Sequence, residues 1–235
     1  MLPAGVATEE VFQSLFELFE SGDIIIDGGN SNFKDSDRRA AQANQKGIKF
    51  LGIGVSGGVH MLENGASLMA GGDKDAYEYV RPLLDTLSKP NGAHGYFGPG
   101  GAGHFVKMAH NGVEYGMMQA FAEGFGVLAK SEYKLNLFDV GHLWQRGSIV
   151  RSFILDMALS ALSKDPTLSE PDGRIEATGE AEWTILAARD MHVPVPVIEK
   201  SLEFRQRSQY DKATQETVVA KLIAALRKEF GGHAV

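Results

Sequence analysis

Cysteine is absent from this chain of 235 residues. That excludes disulfides, thiol nucleophiles and cysteine-ligated zinc or iron–sulfur centres. A surplus of positive charge is missing too: 23 Lys and Arg stand against 30 Asp and Glu, a formal net charge of -7. The sign is wrong for a protein that coats nucleic acid or an anionic membrane through bulk charge. Nor is there an uninterrupted apolar run of about 18 residues, the length a membrane-spanning helix needs. The opening Met1-Leu2-Pro3-Ala4-Gly5 lacks the basic start and apolar middle of a secretion signal. Nucleic acid and membrane are therefore not expected as partners, and the cytoplasm is the expected compartment. What is present, 43% hydrophobic and 23% charged residues, is ordinary globular composition. The length allows one complete domain and part or all of another.

Two patterns divide the chain. Up to residue 98, short apolar runs alternate with helical periodicity. Helices are expected over 8–20, 35–45 and 75–87, and strands at Asp23-Ile24-Ile25-Ile26-Asp27, Lys49-Phe50-Leu51-Gly52-Ile53, Ala66-Ser67-Leu68-Met69-Ala70 and His94-Gly95-Tyr96-Phe97. This is βαβ alternation, with a first strand of the doubly buried kind that parallel sheets use. Beyond it, helical stretches are expected at 101–131, 136–146, 150–163, 178–190, 195–208 and 212–230. The fold class is thus α/β (residues 1–98) followed by all-α (residues 99–235).

Two stretches match G-x-G-x-x-G. Gly52-Ile53-Gly54-Val55-Ser56-Gly57 follows a strand but opens no helix, whereas a dinucleotide-binding turn must do both. Gly98-Pro99-Gly100-Gly101-Ala102-Gly103 does open a helix, yet no second βαβ unit follows, and it reads as the start of a domain-joining helix. On that helix Lys107, Asn111 and Glu114 fall within about 40° of one another at 100° per residue. One stripe therefore offers an amine, an amide and a carboxyl; a solvated Lys/Glu face would look the same. Glycines at 98, 100, 101, 103, 112 and 116 argue for a cleft wall, since each costs around 1 kcal/mol inside a helix unless something approaches the backbone.

The string Gly98-x-x-Gly101-x-Gly103-x-x-x-Lys107-x-x-x-Asn111 resembles the catalytic signature of the β-hydroxyacid dehydrogenases. Within them, His110-Asn111-Gly112-Val113-Glu114-Tyr115-Gly116-Met117-Met118-Gln119 is similar to the decarboxylating 6-phosphogluconate dehydrogenases. Ile26-Asp27-Gly28-Gly29-Asn30-Ser31, Val55-Ser56-Gly57-Gly58-Val59 with Leu62-Glu63-Asn64-Gly65, and Arg227-x-x-Phe230-Gly231-x-His233 match in order. The resemblance implies the C-terminal half of a Rossmann-like domain, then a helical dimerisation and substrate domain. It implies oxidation of 6-phosphogluconate at its 3-hydroxyl by hydride transfer to NADP or NAD, loss of carbon 1 as CO2, and tautomerisation to ribulose 5-phosphate, without a metal. Lys107 is then the base on the 3-hydroxyl and, as an ammonium, polarises the keto oxygen; burial would have to lower its pKa. Glu114 supplies a proton to carbon 1, which requires a raised pKa. Asn111 stands with Lys107 among the catalytic residues and, with His110, holds substrate hydroxyls, while Tyr115 meets a phosphate oxygen. Ser56, Gly57 and Gly58 receive the substrate carboxylate. Asn30 touches cofactor and substrate, and Leu2, Pro3 and Ala4 touch the cofactor. Arg227 and His233 lie on a tail that reaches a neighbouring subunit's site, so a homodimer or higher oligomer is implied. Taken alone, Asn30 reads equally as an Asx turn, Ser56-Gly57-Gly58 as a glycine turn, His110 and Tyr115 as core residues, and the tail as a frayed basic end.

Departures from the family carry their own expectations. The chain begins where the family's fourth strand ends, so the Gly-rich pyrophosphate turn and the ribose-reading acid have no counterpart, and NAD and NADP cannot be told apart. Weak dinucleotide binding, impaired activity and a bare edge at that fourth strand are expected. His60-Met61 stands where the family has Trp-Gly. Thr178-Gly179-Glu180-Ala181-Glu182-Trp183 stands where the long-chain enzymes have Lys-x-Thr-x-Lys-Trp. A phosphate-binding Lys is thereby missing, with Arg205 or Arg207 as substitute. The alternatives are a sister dehydrogenase acting on a nonphosphorylated hydroxy acid, and a noncatalytic chain that dimerises through its helices.

Overall fold

Residues 1–177 and 179–231 are described by the computed structural model. Their contacts divide the chain at Asn111 and Gly112 into two units, each taken by itself below.

In the first unit the elements are α1 (Val6–Leu18), β1 (Ile24–Asp27), α2 (Phe33–Gln45), β2 (Lys49–Ser56), one 3-10 turn (Gly58–His60), α3 (Met61–Asn64), β3 (Ser67–Gly72), α4 (Lys74–Ser88), β4 (Ala93–Tyr96) and the start of α5 (Ala102–Lys130). Short polar residues set the helix starts: the Asn32 side chain accepts from Lys34 N, and Asp73 from Ala76 N, each satisfying a backbone donor that a helix leaves open. The sheet order is β1-β2-β3-β4. β1 with β2 and β3 with β4 are parallel, but β2 and β3 run antiparallel, pairing Gly54 with Met69 and Ser56 with Ser67. The doubly buried first strand is parallel to its neighbour, as its apolar run implied, and the β2–β3 pair is where the strand direction reverses. Only residues 57–66 join β2 to β3, fewer than the dozen or more that a parallel crossover takes. Gly57, Gly58 and Gly65 turn that segment back at φ values of 145°, 55° and 80°, where side-chain-bearing residues are strained. The fourth-strand edge expected beside Leu2 is corrected: residues 1–3 form no strand, and among the described residues the sheet edges are β1 and β4. Both faces of the sheet are apolar. Leu51, Ile53, Leu68, Ala70, Tyr77 and Leu84 form one cluster, and Phe12, Ile25, Ala43, Ile48 and Phe50 the other. Burying a side chain of this size stabilises by roughly 1.5–3 kcal/mol.

The second unit is helical: the rest of α5, then α6 (Leu137–Gln145), α7 (Phe153–Lys164), α8 (Glu180–Asp190), α9 (Pro196–Ser208), α10 (Lys212–Gln215) and α11 (Val218–Gly231). Met118, Phe125, Leu155, Leu162, Ile175, Leu222 and Leu226 form its core. The single helix expected over 212–230 is two. Thr217 Oγ1 accepts from Ala220 N at 3.1 Å and caps a new helix, while Gly173 lies against the Gln215 backbone, where a side chain would not fit. The class, α/β followed by all-α, is as expected. No helix among the described residues is long and apolar enough to cross a membrane.

Candidate active site

The start of α5 lies directly on the sheet because glycines make room for it. A Cβ on Gly52 would stand 2.8 Å from His104 Nδ1, one on Gly54 would collide with the Lys107 side chain, and one on Gly71 would strike the Gly103 amide. Gly103 in turn faces the Met69 and Gly52 carbonyls. The first two glycines of the first G-x-G-x-x-G stretch, Gly52 and Gly54, therefore seat a helix. Those farther along α5 serve packing as well: Gly112 lies against Thr184 and Ile198, and Gly116 against Val197. Helix neighbours, not a ligand, explain these two members of the expected cleft wall.

The seat fixes a polar network in the first unit. Lys107 is buried and donates from Nζ to Asn111 Oδ1 at 2.7 Å. The same oxygen lies 2.9 Å from His110 Nδ1, and His110 Nε2 lies 3.1 Å from Ser56 Oγ at the end of β2. Lys107 Nζ also lies 3.4 Å from that Nδ1, so His110 Nδ1 faces both the amine and the amide oxygen while Nε2 faces the Ser56 hydroxyl. An amine, an amide, an imidazole and a hydroxyl are thus linked in one chain. Gly57 and Gly58 continue from Ser56 into the 3-10 turn.

A second group gathers beyond the end of β1. Asn30 follows Gly28-Gly29, and its Oδ1 is buried without a hydrogen-bond partner among the described residues. Leu2 runs beside this turn: a Cβ on Gly29 would stand 2.7 Å from the Leu2 carbonyl oxygen. Pro3 O accepts from Thr8 Oγ1 at 2.8 Å. The structure therefore brings Leu2 against Gly29, the residue before Asn30. It also shows that the Asx-type bond here belongs to Asp27, whose Oδ1 accepts from Gly29 N at 3.0 Å. The D-x-G spacing carried that signal, and sequence reasoning missed it. His104 was missed as well. Its Nδ1 lies 2.7 Å from Ser36 Oγ, and burial holds its pKa below the ordinary range, with Asp27 pulling the other way.

In the second unit the guanidinium of Arg205 lies 3.3 Å above the Tyr115 ring centroid and is buried. Burial first, then the nearby Arg227 charge, lower its pKa to about 10, against Tyr115 and Glu114, which raise it. Arg207 is exposed and lies over Phe204. Arg227, expected on a tail reaching another subunit, is buried on α11 within its own unit, because α11 packs its apolar face into the core. Its Nη2 has no hydrogen-bond partner among the described residues. Glu114 follows Lys107 on α5 and is half-buried. His233 and Thr178 lie outside the described residues.

Comparisons with known proteins agree along the chain. Residues 1–98 match the family described as the NAD binding domain of 6-phosphogluconate dehydrogenase, and residues 103–217 match the 6-phosphogluconate dehydrogenase C-terminal domain. An NAD(+)-dependent, decarboxylating 6-phosphogluconate dehydrogenase of Haloferax volcanii is 37% identical over 100% of this chain and 77% of its own length. YqeC of Bacillus subtilis, which bears the name 6-phosphogluconate dehydrogenase provisionally, is 42% identical over the same shares. A solved Plasmodium falciparum 6-phosphogluconate dehydrogenase, described in apo form and in complex with NADP+ and with 6-phosphogluconate, superposes with a TM-score of 0.80 at 34% identity, covering 88% of this chain and 47% of that one. A Mycobacterium tuberculosis 3-hydroxyisobutyrate dehydrogenase shares the fold alone, with a TM-score of 0.73 at 19% identity over 97% of this chain and 78% of that one.

Proposed function

The chain belongs to the 6-phosphogluconate dehydrogenase family, and from that membership we propose that it oxidatively decarboxylates 6-phosphogluconate to ribulose 5-phosphate, a step of the pentose phosphate pathway. The observation that carries this reading is the link from the buried Lys107 and Asn111 through half-buried His110 to Ser56. Lys107 removes the proton of the 3-hydroxyl and, once an ammonium, donates to the resulting keto oxygen while carbon 1 leaves as CO2. Asn111 holds the amine in place in both states, because its Oδ1 accepts from an ammonium or a neutral amine alike. His110 and Ser56 orient substrate hydroxyl and carboxylate groups, with Gly57 and Gly58 beside them. Glu114 returns a proton to carbon 1.

A nicotinamide dinucleotide, NAD or NADP, supplies the hydride acceptor when bound. The residues fit one: Gly29 lets the Leu2 backbone approach closely, and the buried Asn30 oxygen lacks a donor among the described residues, as suits the exit of an α/β strand. Residues 2–4 and Asn30 would hold it. The phosphate belongs to Tyr115, Arg205 and Arg227. Two buried guanidiniums near one another, one with an N–H group unused among the described residues, favour an anion between them, and this supports a phosphorylated substrate over a plain hydroxy acid. The chain also pairs with a second copy. Val113, Met117 and Val127 are exposed on α5 and, with Ala120 and Gly124 between them, follow the 4-3 spacing of a helix seam.

The test is reduction of NAD and NADP at 340 nm with 6-phosphogluconate. Activity that falls by about 10³-fold or more in Lys107→Ala is expected. Turnover of 3-hydroxyisobutyrate in place of 6-phosphogluconate would overturn the substrate assignment.

A further inference from the structure

The two segments read above as cofactor contacts, residues 2–4 and the turn at 28–31, come from opposite ends of α1 and β1, yet one buried side chain ties them together. Arg39 on α2 is 1% exposed. Its Nε donates to Glu9 Oε2 at 3.0 Å and its Nη1 to Asp27 Oδ2 at 3.4 Å. Glu9 lies in the first turn of α1, and its amide closes on the Gly5 carbonyl at 3.0 Å, so it follows directly from the loop at 2–4. Asp27 ends β1 and holds the turn from inside: Oδ1 accepts from Gly29 N at 3.0 Å, and Oδ2 from Ser31 Oγ at 2.7 Å. Arg38 grips the outer side of the same Glu9 carboxylate with two hydrogen bonds. A guanidinium buried this fully is costly to desolvate, and a plain core could be built from apolar residues. A fork with fixed angles, in contrast, sets a distance between two carboxylates, which an ammonium cannot do.

We propose that Arg39 is a positioning residue: it sets how the loop at 2–4 lies against the Asn30 turn, and hence the fit of the dinucleotide on the surface the two make together. The idea rests on the proposed function for what binds that surface. The strut itself stands on the hydrogen bonds.

The experiment compares the wild-type chain with Arg39→Met, Arg39→Lys and Glu9→Ala by steady-state kinetics and by amide hydrogen exchange. Expected for both Arg39 variants is a KM for the dinucleotide raised about tenfold or more, with the KM for 6-phosphogluconate changed less than about twofold. Amides at 28–31 should exchange about tenfold faster in Arg39→Met while those of β3 hold. In Glu9→Ala, whose site is partly exposed and tolerates truncation, the faster exchange should appear at residues 5–9 and spare 28–31, because Arg39 keeps Asp27. An active wild type whose dinucleotide KM is unmoved by Arg39→Met overturns the strut. A wild type that neither binds dinucleotide nor turns over 6-phosphogluconate overturns the proposed function instead; exchange then decides the strut alone, and unchanged rates at 28–31 would reject it. If Arg39→Met fails to fold, Arg39→Lys and Glu9→Ala carry the same decision.

Discussion

Arg205 and Arg207 stand two positions apart on one helix, and their fates differ completely. Arg205 is stacked on Tyr115 and buried; Arg207 points to solvent. Lysine can keep the Arg205 charge but neither the stacking nor the fork. Arg205→Lys is therefore expected to raise the KM for 6-phosphogluconate by about 10- to 100-fold, the worth of one or two hydrogen bonds to a charged group, while Arg207→Ala stays within about twofold. Initial-rate measurements over a range of substrate decide it. His104 yields a pH prediction. Its folded-state pKa lies below the ordinary value of 6.5, chiefly through burial, so the unfolded chain binds the proton more readily. Its contribution is whole above pH 6.5 and is lost as pH falls below that value. Urea midpoints between pH 8 and 5 should drop for the wild type and be flatter for His104→Gln, which keeps a donor for Ser36. Lys107 and Asn111 were legible in the sequence because four residues of helix bring two side chains together whatever surrounds them. The choice between Arg205 and Arg207 was not, since it depends on where Tyr115 of another helix stacks. Nor was the role of Asp27, which needed its contact with Arg39.

Helices and strands were readable where apolar residues repeat: β2 and α4 fall within a few residues of expectation. Strand direction was not, because an apolar run reads the same both ways. Only the shortness of the segment between β2 and β3 forces the reversal. The break between α10 and α11 was hidden too. Thr214-Gln215-Glu216-Thr217 contains no Gly or Pro, and a threonine cap looks like any helical threonine until its hydroxyl is placed. Thr217→Ala should therefore cost about 1 kcal/mol and lower Tm by roughly 2–4 °C, as calorimetry can show. The seat of α5 gives a sharper prediction. Gly54→Ala drives a methyl group into the Lys107 side chain, so it should destabilise by about 1–3 kcal/mol and also displace the proposed base. Turnover should fall by about 10²-fold or more in protein that is still folded, the cost expected of a misplacement near 1 Å. Paired denaturation and kinetic measurements test both halves.

For the molecule as a whole, charge and apolar surface point outward in different ways. A chain of net charge -7 proposed to take an anionic substrate must attract it locally, and in the second unit that burden falls on Arg205 and Arg227. The apolar seam on α5 bears on assembly. Val127 is 73% exposed, and Val127→Asp should turn a dimer into a monomer in light scattering at micromolar concentration while leaving the thermal transition of the monomer in place; an unchanged mass would place the pairing surface elsewhere. The glycine seat reaches further than any single activity. Positions 52, 54, 71 and 103 admit no side chain, whereas 59–63, on the short connection between β2 and β3, include exposed residues such as Val59 and Leu62. Saturation libraries of this protein should thus show two adjoining territories, one closed to nearly all substitution and one open to insertion. Directed evolution toward other substrates would have to travel through the second.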